Sequence, residues 1–237
     1  MKAFTFLSVF SFYFLVFTPA FAQLLQRGNG TVTTEKRPVD AFDAIRSEKG
    51  IDLYITQGNA YNLQIEADEN LLEHITTQVR NGVLEISHTG NFIKSKGLKA
   101  YVTVKTLQSV EISGGADVYT QNTLKANELT CIARGGSDLK MDLDVNKLTL
   151  DLRSGSDASL SGRANTFRAE AHGGSDISAK ALQTENCHIK AHGGSDASVH
   201  STKEIAIEAS GGSDVSYTGG AKVTSLSASG SSDVRKR

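Results

Sequence analysis

Seven aspartates in this chain stand in nearly the same surroundings. Each closes a tetrapeptide: Gly114-Gly115-Ala116-Asp117, Gly135-Gly136-Ser137-Asp138, Ser154-Gly155-Ser156-Asp157, Gly173-Gly174-Ser175-Asp176, Gly193-Gly194-Ser195-Asp196, Gly211-Gly212-Ser213-Asp214 and Gly230-Ser231-Ser232-Asp233. A regular row of carboxylates suits two kinds of chemistry. It can hold turns, because Gly-Gly supplies positive φ without steric cost and a carboxylate accepts hydrogen bonds from turn N–H groups. It can also bind calcium between successive turns, as exported Gly- and Asp-rich β-rolls do. The calcium candidates are Asp138, Asp157, Asp176, Asp196 and Asp214. Carboxylates ~5 Å apart repel by only about 1 kcal/mol at the dielectric of water, and charge-assisted bonds of ~1.5–3 kcal/mol outweigh that. A metal is therefore unnecessary. The reading is a structural turn ladder of Asp117, Asp138, Asp157, Asp176, Asp196, Asp214 and Asp233, with no cofactor.

Two further constellations invite a chemical reading. His172 and His192 precede Gly-Gly in neighbouring repeats, and stacking would bring their imidazoles together. Two ligands make a weak metal site, and the same position holds Arg134, Arg153, Ser210 and Ser229, the mixture expected of a solvated edge. His172, Ser175 and Asp176 are the ingredients of a hydrolase triad. A nucleophile needs a singular activating neighbourhood, however, and serine before aspartate recurs in turn after turn. No catalytic residue is assigned.

The elements that would carry these residues follow from the repeat. Asp-to-Asp steps are 21, 19, 19, 20, 18 and 19 residues. Five positions before each Asp stand Ile112, Ala133, Leu152, Ala171, Ala191, Ala209 and Ala228, and seven before stand Val110, Cys131, Leu150, Ala169, Ile189, Ile207 and Leu226. One position after stand Val118, Leu139, Ala158, Ile177, Ala197, Val215 and Val234, with polar residues between. This is period-2 patterning on both sides of a tight turn. A unit of ~19–20 residues that cannot bury its apolar face alone is one coil of a β-solenoid, and stacking builds the core. The fold class is all-β, a right-handed β-helix type, narrow because so many inward positions are alanine.

Ahead of the repeats the pattern remains β but is not visibly repeated. Ile51, Leu53 and Ile55 alternate with polar residues, Asn81-Gly82 signals a type I′ hairpin, and Glu69 to His74 reads as the one helical turn. Residues 38–106 are expected to form a β cap layer over the open end of the solenoid at 107–237. At the other end, Arg235-Lys236-Arg237 blunts the edge with charge.

Residues 1–22 read as a signal peptide: Lys2, an apolar run from Ala3 to Phe17, then Ala20-Phe21-Ala22 before Gln23. Residues 23–37 form a lead segment. The mature chain shows no second apolar stretch, so no membrane span is expected there. Net charge is −1 with cations scattered, which makes nucleic acid a poor partner. Cys131 and Cys187 should be free: the register sets them three coils apart, on the order of 14 Å, beyond the ~7 Å a disulfide bridges.

Phe42-Asp43-Ala44-Ile45, then Gly50-Ile51-Asp52-Leu53-Tyr54-Ile55-Thr56-Gln57-Gly58, then the serial Gly-Gly-Ser-Asp turns resemble the auto-transporter adhesin head GIN domain family of exported Bacteroidetes proteins. The resemblance covers residues 38–217. It implies an exported β-helical domain and a role in adhesion, and it brings no catalytic residues. The expected function is a non-enzymatic binding or adhesion module at the cell envelope, presenting a repetitive Ser/Asp/His face to a carbohydrate or protein. The alternatives are an envelope scaffold without its own ligand and a carbohydrate-active β-helix enzyme.

Overall fold

The structure is a computed structural model that describes residues 25–237. The expected signal peptide and its cleavage point before Gln23 lie outside the described residues. The first strands are β1 (Leu25–Arg27), β2 (Val32–Arg37), β3 (Ala44–Ser47), β4 (Asp52–Gln57) and β5 (Asn62–Asp68). A 3-10 turn over Glu69–His74 leads to β6 (Ile75–Arg80), β7 (Val83–His88), β8 (Asn91–Ile93) and β9 (Lys99–Val104). The repeats contribute β10 (Ser109–Ser113), β11 (Val118–Thr120), β12 (Leu124–Arg134), β13 (Leu139–Arg153), β14 (Ala158–His172), β15 (Ile177–His192), β16 (Ala197–Ser210), β17 (Asp214–Thr218), β18 (Lys222–Ser229) and β19 (Asp233–Lys236).

From β10 onward every pairing is parallel, each coil lying in register on the next: Cys131 on Leu150, Leu150 on Ala169, Ala169 on Ile189, Ile189 on Ile207. The result is a β-solenoid. Alternation drives it, because period-2 side chains all reach one interior when coils stack. Ile45, Val110, Leu150, Ile189 and Ile207 are each at most 2% exposed. Ala133, Ala171, Ala191 and Ala209 fill the neighbouring column, also buried, and let the two walls approach.

The stack begins earlier than the visible repeat. β3 pairs in parallel with β10, and β4 with β11, so residues 44–57 make a coil of their own within the stretch 38–106. Beyond it β7 lies on β3 and β9 on β4. There the pairing changes sense: β5 runs antiparallel to β9, β2 to β5, and β6 to β7. These antiparallel strands cover the end, and the 3-10 turn plugs it with buried Leu71 and Leu72. The β6–β7 hairpin turns on Asn81 (φ 50°) and Gly82 (φ 78°), the backbone a type I′ turn requires. A break in the regular spacing hid the early coil, because an insertion of hairpins separates its turn from the next by 65 residues.

The other end differs. All eight residues of β18 are exposed, although Ile205, Ile207 and Ala209 in its inward columns one coil earlier are buried.

Candidate functional face

Gly-Gly occupies two successive left-handed positions where it opens a turn, with φ of 70° and 71° at Gly135 and Gly136 and 68° and 72° at Gly173 and Gly174, and Ser154 (φ 60°) takes the first of them before Gly155. That reversal swings the next residue, serine, inward and the aspartate outward. Ser137, Ser156, Ser175, Ser195 and Ser213 are completely buried. Serine is therefore not on the presented face at these turns, against the expectation of a Ser/Asp/His surface. Alternation could have shown it: serine lies four residues after one inward position and two before the next.

Two side-chain ladders run through the turns in opposite senses. The backbone N–H of each serine donates to the hydroxyl of the serine one coil further on: Ser137 to Ser156 (3.1 Å), Ser156 to Ser175 (3.2 Å), Ser175 to Ser195 (3.0 Å) and Ser195 to Ser213 (3.1 Å). Ser175 Oγ in turn donates to the His172 carbonyl at 2.9 Å. For aspartate the N–H reaches back instead. Asp138 donates to Asp117 Oδ1, Asp157 to Asp138, Asp176 to Asp157, Asp196 to Asp176 and Asp214 to Asp196, over 2.9–3.2 Å. The carboxylates thus tie coil to coil, whereas the sequence reading had each hold its own turn. A stacked turn brings the neighbour's N–H closer than its own.

The ladder also has different ends from those expected. Its first acceptor is Asp52, which takes the Asp117 N–H at 3.0 Å. Lys49 and Gly50, with φ of 62° and 74°, build the same turn as Gly-Gly. The signal available was Gly-x-Asp followed by alternating Leu53 and Ile55. At the far end Asp233 leaves the ladder: its N–H donates to the Ser213 carbonyl, and its carboxylate pairs with Arg235.

Electrostatics follow from this row of like charges. Burial, and then the charges of Asp117 and Asp157, push Asp138 above the usual carboxylate range despite the Asp157 N–H. Asp52 is raised in the same way, first by burial. Each ladder bond uses Oδ1 alone, and among the described residues no group of three or more His, Cys, Asp or Glu side chains converges as a metal site. The His172 and His192 rings stack face to face, centroids 5.1 Å apart and planes 22° from parallel. Lone pairs lie in the ring planes, so stacked rings do not aim them at one point. His192 Nδ1 instead meets Ser210 Oγ at 2.6 Å. Ser175 is buried, and its hydroxyl bonds the backbone of His172, not its imidazole. A triad does not form.

One feature of the outward face was missed. Tyr101, Tyr54 and Tyr119 sit in one column across β9, β4 and β11, with successive ring centroids 5.1 Å apart. The Tyr119 hydroxyl donates to Asp117 at 3.2 Å, and that of Tyr101 to Glu66 at 3.3 Å. Burial, with Asp117 next, pushes the Tyr119 phenol up to about 12. The other aromatics of the repeats, Phe167 and Tyr217, are buried. Below Tyr119 the column continues through Lys140, Ser159, Ser178, Ser198 and Ser216. The turns thus present an aspartate column, and the strands that follow them a tyrosine-to-serine column beside it.

A parallel β-solenoid with a hairpin-covered end and laddered Gly-Gly turns defines the class of this protein. The chain belongs to the family described as "Putative auto-transporter adhesin, head GIN domain", whose model matches residues 41–221. Among curated proteins no relative matches. Among solved structures it is similar to "a putative adhesin" from Bacteroides fragilis NCTC 9343, at TM-score 0.85 and 23% identity over 90% of this chain and all of that one. It is similar to "a putative adhesin" from Parabacteroides merdae ATCC 43184, at 0.71 and 22% over 90% of this chain and 99% of that one. A "Putative lipid binding protein" from Parabacteroides distasonis ATCC 8503 matches at 0.72 and 18% over 90% and 100%. At these identities the likeness speaks for the fold. No helix among the described residues is long and apolar enough to cross a membrane.

Proposed function

We propose that this protein is an exported, non-enzymatic adhesion module that binds a carbohydrate or protein ligand at the cell envelope through the face formed by the aspartate turns and the adjoining tyrosine–serine column. The observation that carries this reading is the laddering itself. Side chains of one kind recur along the columns at the strand spacing of ~4.8 Å, a geometry suited to a ligand that is extended or repetitive. Family membership supports adhesion as the use. The burial of the turn serines supports a binding role over a hydrolytic one, since an accessible nucleophile is lacking at the triad's position.

The test is a glycan array and an envelope-protein pull-down with residues 23–237, each run with and without calcium. Binding that is lost in Tyr54→Ala or Ser178→Ala while the melting temperature holds supports the reading. Absence of binding to both ligand classes overturns it in favour of an envelope scaffold, and turnover of a bound glycan overturns it in favour of an enzyme.

A further inference from the structure

The insertion that hides the first coil also leaves a gap in the side of the stack. From β12 onward the stretch linking the two walls is stacked in register, residues 124–128 on 143–147 and those on 162–166. On their cap side residues 124–128 have no such parallel neighbour among the described residues. The cause is chain length. Val104, paired with Gln57, reaches Ser109 in five residues, whereas the next coil takes eight from Asn122, bonded to Gln57, to Thr130, the partner of Ser109. The shorter link cuts the corner and leaves a cavity of about 440 Å³ against β12.

Gln57 fills part of the gap. Its side-chain amide stands in for a strand, Oε1 accepting the Lys125 N–H at 2.7 Å and Nε2 donating to the Lys125 carbonyl at 2.9 Å. Further on, the Thr130 N–H reaches the Gln108 carbonyl at 2.9 Å. Between these two points stands Glu128. Two residues from Thr130 on the same strand, it turns its N–H and C=O the same way, into the cavity. The Gln108 N–H, which a continued ladder would offer to the Glu128 carbonyl, goes to the Asp43 carbonyl instead, at 2.7 Å. One backbone donor and one backbone acceptor therefore face the cavity unused. Side chains add to them. Asn127 Oδ1 accepts from Asn146, which leaves the Asn127 Nδ2 to donate. Glu128 meets Lys147 through Oε2, which leaves Oε1 to accept. Thr106 brings a hydroxyl to the rim and Lys125 an ammonium, while Leu107 and Ala126 supply the apolar lining.

We infer that this notch binds one sugar unit of a neutral glycan. Its volume lies within the range of ~300–1,000 Å³ usual for small-ligand sites. A sugar hydroxyl both donates and accepts, and the notch sets donors and acceptors side by side. The C–H face of a pyranose has Leu107 and Ala126 to lie on. Lys125 and Glu128 carry opposite charges, so the lining selects no ion. A peptide strand fits poorly, because strand addition needs a row of open backbone groups, and Gln57 and Gln108 leave only those of Glu128. Asn127 stands ten residues after Asp117 and eleven before Asp138, half a coil from the turns. The notch is thus separate from the aspartate and tyrosine–serine face, and the inference does not rest on that face binding anything.

The test is an NMR titration of residues 23–237 with glucose, galactose, mannose and N-acetylglucosamine, without added metal. At least one of these sugars is expected to shift the Glu128 N–H and Asn127 side-chain amide signals along a saturating curve. Asn127→Ala should weaken that binding about tenfold, the effect of one hydrogen bond left unmade. Thr106→Phe, which fills the rim, should abolish it, and both proteins should melt within a few degrees of the parent. Tyr54→Ala, on the other face, should titrate like the parent; if it loses glycan-array binding while the notch still titrates, the two sites are shown to be distinct. The inference is overturned if none of these sugars moves the two signals up to its solubility limit, if the shifts map elsewhere, or if Asn127→Ala and Thr106→Phe bind as the parent does.

Discussion

Serine and aspartate are adjacent in every turn and both carry a coil-to-coil hydrogen bond, yet their removal should cost different amounts. Ser175 Oγ accepts the N–H of buried Ser156, and water cannot replace it there. Ser175→Ala should therefore lower stability by about 1–3 kcal/mol, the cost of a buried unsatisfied donor. Asp176 is exposed, so its partner can turn to solvent; Asp176→Ala should cost less than Ser175→Ala in the same denaturant titration, and Asp176→Asn less again. If the aspartates instead bound calcium, Asn would be nearly as damaging as Ala, and chelator would lower the parent melting temperature sharply. Under the structural reading chelator leaves it unchanged.

Charge gives a second test at this scale. A carboxyl whose folded pKa is raised favours folding while protonated, and that contribution is lost as pH rises through the folded value. Asp138 is such a group, so at neutral pH its charge works against the fold. Asp138→Asn should raise the melting temperature at pH ~7, and the gain should vanish on approaching pH ~4, near the ordinary carboxylate value. Glu111 has the opposite sign. Burial would raise it, but bonds from Arg134 and Arg46 outweigh that and hold it below the usual range. Its contribution is present above the ordinary carboxylate pKa and is lost as pH falls. An Asp138→Asn protein less stable than its parent at neutral pH would contradict the repulsion argument.

At the scale of the element, the glycines divide into two kinds. Gly174 needs only its φ of 72°; a Cβ there would meet nothing within 4 Å. Gly162, inside β14, has φ of 98° and would place a Cβ 2.0 Å from the Leu143 carbonyl oxygen of the coil beside it. Gly174→Ala should cost about 1 kcal/mol, the steric cost of a left-handed residue. Gly162→Ala should cost about 3 kcal/mol or more, since backbone must move. Thermal denaturation of the two variants gives the order directly, and equal losses would refute the close-approach account. The Gly-Gly turns were legible because their spacing is regular. Gly162 was not, because nothing in Leu160-Ser161-Gly162-Arg163 shows which carbonyl lies beside it.

For the whole molecule, the two thiols report on coil stacking. Cys131 and Cys187 are free and buried, in columns with Leu150 and Phe167. Burial pushes both thiols up to about 12, with a bond from Thr184 working the other way on Cys187. Neither should react with a thiol reagent at neutral pH in the native protein, and both should react at once in denaturant. Prompt reaction of the native protein would mean that the coils open far more readily than a continuous core allows.

Repetition made most of this molecule readable from its sequence. A step of 18 to 21 residues between seven copies with the same alternation leaves one economical way to bury the apolar columns, and that way is a stack of coils in register. The register then decided the cysteines, the histidine pair and the inward columns in advance. Three matters rested on tertiary structure, each because the deciding neighbour is distant in sequence. Asp52 became the first rung because an insertion closes on itself and returns the chain to the same stack 65 residues later. Tyr101, Tyr54 and Tyr119 came together because β9, β4 and β11 are neighbours only in that stack. The partner of each carboxylate was likewise a matter of space. Local rules describe the donors within a turn, whereas stacking supplies a nearer N–H from the coil alongside.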